Sequence, residues 1–81
     1  MTAKVLLTFP NTRTAIAAEK ALLAAGLSPT VMPMPEALSA QCGIVLSLPE
    51  ADLEHGRAAL EVAKIHISAV YHLQNGKLSP L

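Results

Sequence analysis

The chain has 81 residues, enough for one small domain, and six basic side chains balance six acidic ones to a formal net charge of zero. With no long run of either sign, it lacks the clustered Lys and Arg by which proteins neutralise nucleic-acid phosphates. No stretch reaches the roughly 20 apolar residues that cross a bilayer. Apolar residues make up 52% of the sequence, yet Phe9 and Tyr71 are its only aromatics. The core must therefore be built from Leu, Val, Ile, Ala and Met, and at this size it is thin.

Met1 to Val5 run straight into a strand pattern without a signal-peptide cleavage region. Lys4 to Phe9 (KVLLTF) is short and apolar, and Pro10 ends it, which predicts a first strand. Asn11 and Thr12 each offer a side-chain oxygen to cap a helix. The Ala- and Leu-rich run to Ala25 supplies that helix, with Ala15, Ala18, Leu22 and Ala25, and Ile16 and Leu23 alongside, expected along its apolar stripe. Gly26 follows as its terminator.

Thr30 to Met34 predicts a second strand, confined to a sheet edge because Pro29 and Pro33 lack amide donors. A loop from Pro35 follows. Gly43 to Leu48 is the most continuously apolar run and predicts an inner third strand. Pro49, Glu50 and Asp52 announce a second helix, since acidic side chains favour the positive end of the helix dipole. Its buried row is expected to be Leu53, Gly56, Leu60 and Ala63, with Gly56 marking a close approach to a neighbour. Ile65 to Leu73 predicts a fourth strand, with Ile65, Ile67, Ala69 and Tyr71 on one face and His66, Ser68, Val70 and His72 on the other. Asn75-Gly76 signals a turn, after which residues 76–81 are expected to trail as a tail from a single domain over residues 1–75.

The order β-α-β-β-α-β predicts an α+β, ferredoxin-like fold. Its four-stranded antiparallel sheet would have strand order 4-1-3-2, with both helices on one face. Such a sheet brings the end of strand one, the start of helix one, the loop before strand three and the start of strand four to one end. Cys42, the sole cysteine, would then lie near the Asn11-Thr12 helix start, with Lys64 and His66 as neighbours. Unpaired amides at a helix N-terminus favour a thiolate or a bound anion. The other face of the sheet would carry Leu6, Val45 and Val70 among Thr8, Ser47, Ser68 and His66, a half-apolar surface suited to a protein partner or to a dimer.

The residues Phe9-Pro10-Asn11-Thr12, then Ala15, Glu19 and Gly26, then Met32-Pro33-Met34-Pro35, Ser39 and Cys42-Gly43 carry a family likeness. From about Val5 to about Tyr71 the chain resembles a small bacterial family of selenium/sulfur carrier protein-like domains. The resemblance implies a carrier thiol at Cys42, with Thr12, Pro35, Ser39 and Gly43 as motif positions. The family often has His where this chain has Arg13, and a basic residue where it has Glu36.

The resulting expectation is a small cytoplasmic carrier or redox accessory protein that uses Cys42, with Asn11, Thr12, Ser39 and Gly43 as binding residues. No cofactor and no metal are implied: one cysteine and three scattered histidines lack paired-ligand spacing. The alternative is a non-catalytic interaction or oligomerisation module in which Cys42 is buried and structural, as free cysteines usually are. A stand-alone enzyme is disfavoured because a domain this small has little room for a substrate pocket.

Overall fold

A computed structural model describes residues 3–33 and 44–81. Among them the fold is α+β, with two helices and one five-stranded antiparallel sheet. The strands are β1 (Lys4–Thr8), β2 (Thr30–Pro33), β3 (Ile44–Pro49), β4 (Ala69–Gln74) and β5 (Lys77–Pro80). Helix α1 is Thr12–Ala24; a single 3-10 turn, Glu50–Asp52, leads into α2, Leu53–Val62. The sheet order is β2-β3-β1-β4-β5.

Each helix forms for reasons visible in its sequence. Asn11, in extended conformation, caps α1, its side-chain oxygen accepting from the Thr14 amide at 2.8 Å and the Thr14 hydroxyl at 2.9 Å. At the other end the Gly26 amide bonds the Leu23 carbonyl and the Leu27 amide the Leu22 carbonyl, a Schellman closure with Gly26 at φ +85°. Helix α2 closes in the same way, through Lys64 to Glu61 and Ile65 to Leu60, but here the left-handed residue is Lys64, φ +60°. A β-carbon in that conformation is strained.

The core lies between helices and sheet. Val5, Leu7 and Phe9 lie beside Leu46 and Leu48 on one face of the sheet and meet Ala15, Ala18, Leu22 and Leu60 from the helices. Gly56 admits this packing: a β-carbon there would lie 2.9 Å from Leu48 Cδ1 and 3.4 Å from Leu22 Cδ2. The predicted close approach at Gly56 is therefore between α2 and both β3 and α1.

Three expectations are corrected. The sheet has five strands rather than four, because residues expected as a tail form β5. Asn75 and Gly76 both take positive φ, +53° and +77°, the conformation a two-residue hairpin turn requires. Lys77 then pairs with Gln74, Leu78 with Leu73, Ser79 with His72 and Pro80 with Tyr71.

The fourth strand begins at Ala69, not Ile65, since residues 65–68 follow the α2 terminator outside any strand. The predicted face assignment loses its phase there. Val70, paired with Leu7, packs towards the helices, as do Ile65 and Ile67, while Ala69 and Tyr71 face away.

The face away from the helices is also not the exposed apolar surface expected. Leu6 and Val45 are 1% and 0% exposed within the single chain, and Thr8 and Ser47 are buried beside them. Tyr71 flanks Leu6, and Met32 flanks Val45, on the neighbouring strands.

Candidate functional site

Strand register decides which residues can share a site. Thr8 pairs with Ala69, the Ser68 amide donates to the Thr8 carbonyl, and the Thr8 hydroxyl donates to the Ala69 carbonyl at 3.2 Å. Leu7 pairs with Leu46, and Pro33 with Ile44. The end of β1, the start of α1, the facing ends of β2 and β3 and the start of β4 thus lie at one end of the sheet. Pro33 and Ile44 flank residues 34–43, which hold Ser39, Cys42 and Gly43; these three predicted site residues lie outside the described residues.

The two predicted binding residues that are described both sit at the α1 N-terminus and are exposed. Asn11 is occupied as the cap, with its oxygen accepting twice from Thr14. That bond satisfies the third amide of the helix. Those of Thr12 and Arg13 belong to the group that has no intrahelical acceptor. The amides, rather than the Asn11 side chain, are what this end of α1 can offer an anion. Of the predicted neighbours of Cys42, Lys64 is exposed at the terminator of α2 and His66 is exposed between α2 and β4.

Sequence reasoning missed two features elsewhere. His72, placed by the sequence only on a face of the fourth strand, is half-buried, and its Nε2 lies within ion-pairing reach of the Glu50 carboxylate. That nitrogen is itself buried and, among the described residues, has no hydrogen-bond partner. The contact arises because Val5 pairs with both Leu48 and His72, so β1 brings β3 and β4 into line. No local signal in the sequence announces it. The second feature is an open apolar groove of about 500 Å³ between α1 and α2. It is lined mainly by alanines, Ala21, Ala24 and Ala25 facing Ala58, Ala59 and Ala63. The helical spacing of those alanines is its signal, legible only once the helices are known to be neighbours.

Among the described residues no three His, Cys, Asp or Glu side chains gather as they would to hold a metal ion. Nor, among them, is any helix long and apolar enough to cross a membrane. Comparison with protein families matches residues 4–72 to the model described as "Putative Se/S carrier protein-like". No curated protein and no solved structure matches the chain.

Proposed function

Because the chain belongs to the Se/S carrier protein-like family across residues 4–72, we propose that it is a small thiol-based sulfur or selenium carrier whose working group is Cys42. The observation that carries this reading is the Pro33–Ile44 pairing. It sets the two described residues that flank residues 34–43, among them Cys42, at the end of the sheet where α1 begins. In this reading the Cys42 thiolate attacks the terminal sulfur of a donor persulfide. A new S–S bond forms, the donor's S–S bond breaks, and the donor sulfur leaves with the electron pair as thiolate. The product is a persulfide on Cys42, with no net oxidation. The Thr12 and Arg13 amides favour its anionic form. A nucleophilic acceptor on a partner protein takes the terminal sulfur by the reverse displacement. Selenium is carried in the same way as a selenopersulfide.

Several finer points belong to the same reading. The β1-α1-β2-β3-α2-β4 portion fits a ferredoxin-like split βαβ of order 4-1-3-2, with β5 added beside β4. A reducing cytoplasm suits a protein that must keep its one thiol free. Ser39 and Gly43 act with Cys42 as binding residues, and the chain acts as an accessory to partner enzymes rather than as an enzyme itself.

The test is the alkylation rate of Cys42 against pH, followed by intact mass after exposure to a low-molecular-weight persulfide. A carrier thiol titrates below the free-cysteine value of roughly 8.5 and gains one sulfur, which a thiol reductant removes. Protection from alkylation until the chain unfolds would sink the carrier and leave the interaction module with a structural cysteine.

A further inference from the structure

The two helices meet the sheet with one face each and present the opposite faces outward. On α1, at about 100° per residue, Arg13, Ile16, Ala17, Lys20 and Ala24 fall on the outer side, and all are exposed. Ile16 and Leu23 expose 45% and 54% of their surface, high for large apolar side chains. The charges central to this side are both positive; Glu19, half-buried, lies round on the flank. On α2 the outer side holds Glu54, His55, Ala58, Glu61 and Val62, also all exposed, with Val62 at 84%. Its charges are negative, and Arg57 lies further round, on the flank away from α1. The alanine-lined groove runs between these two surfaces.

We infer that this helix layer is a self-association surface, on which a second copy of the chain packs about a two-fold axis along the groove. Each helix joins parallel strands, β1 to β2 and β3 to β4, so α1 and α2 run antiparallel. Rotation about an axis along the groove sets α1 of one copy against α2 of the other, still antiparallel. Within one copy Gly56 packs against Leu22, which sets Glu61 about level with Ala17, so the rotation brings Lys20 closest to Glu61 of the second copy. Ile16 lies level with Val62 of the second copy beside that pair, and the symmetry repeats every contact.

Other surfaces of the chain suit a second copy less well. On the sheet face Leu6 and Val45 are already buried and add no area to a contact. Both sheet edges carry proline, Pro33 on β2 and Pro80 on β5. The Leu81 amide bonds inward to the Val70 carbonyl, so by alternation the position of Pro80, which has no N–H, faces the outer edge. Zero net charge puts no long-range repulsion between copies.

Sedimentation equilibrium on the full chain between about 5 μM and about 1 mM tests the inference, with circular dichroism to establish folding. The expected result is a dimer whose dissociation constant rises about tenfold between low and high salt. Reversing either charge set, as R13E/K20E or as E54K/E61K, is expected to weaken it by about 100-fold or more. Mixing the two variants should restore a one-to-one dimer, because each copy then offers only one sign to the other. A folded chain that stays monomeric over this range overturns the inference. So does a dimer that both reversals leave intact, or a mixture of folded variants that fails to associate. Persulfide loading of Cys42 is read separately, so failure here leaves the carrier reading standing.

Discussion

Leu48 Cδ1 lies 2.9 Å from where a β-carbon on Gly56 would sit, so the absence of a side chain at Gly56 sets how closely α2 approaches β3. Leu48 is fully buried, and Leu22 Cδ2 lies 3.4 Å from the same point, so a β-carbon on Gly56 is crowded from β3 and from α1. Alanine in a helix interior is favoured over glycine by about 1 kcal/mol, but overpacking a filled core costs about 1–3 kcal/mol. Gly56→Ala is therefore expected to lower the urea midpoint, and Gly56→Val to lower it further. Leu48→Val in the Gly56→Ala background should destabilise less than Leu48→Val does alone. Simple additivity would remove the steric explanation.

Helix α2 ends in a left-handed lysine where α1 ends in a left-handed glycine, and the two termini make opposite predictions. Lys64, at φ +60°, carries a β-carbon strain of about 1–2 kcal/mol that glycine would not have. Part of that gain is lost to the greater freedom of glycine in the unfolded chain. Lys64→Gly should stabilise by about 0.5–1 kcal/mol, and Gly26→Ala should destabilise by about 1 kcal/mol. Thermal unfolding of the two variants reads both signs.

Asn11 is expected to act on stability rather than on thiol chemistry. Its oxygen holds the Thr14 amide and hydroxyl, so Asn11→Ala should cost about 1 kcal/mol and Asn11→Asp very little. Neither change removes the Thr12 and Arg13 amides. If Asn11→Ala slows Cys42 alkylation without lowering stability, Asn11 is a binding residue and not a cap.

The β5 strand makes a prediction in hydrogen exchange. In a two-residue hairpin the residues flanking the turn form a hydrogen-bonded pair, so Gln74 and His72 direct their amides at β5. Both should be protected in the full chain and exchange freely once residues 77–81 are removed. Gly76→Val, which places a branched side chain at φ +77°, should weaken that protection and lower stability by at least about 1 kcal/mol. Equal exchange with and without those residues would mean that they form no strand in solution.

The sequence by itself determined both helices, with Asn11 and Gly26 at the ends of the first, and placed the proline-bearing second strand at a sheet edge. It flagged Gly56 as a close approach and carried the family resemblance in its motif residues. All of these rest on local chemistry: caps, positive φ, missing amides and hydrophobic period. Where local pattern was extended through non-strand residues it failed, because the Lys64 terminator resets the phase of residues 65–68 and puts Val70 on the helix side. Asn75-Gly76 announced a turn, but only pairing with β4 shows that four residues suffice for a fifth strand. The burial of Leu6 and Val45, the His72–Glu50 contact and the opposed charges of the helix layer depend on elements distant in sequence. Local propensity carries no information about such neighbours; register and packing supply it.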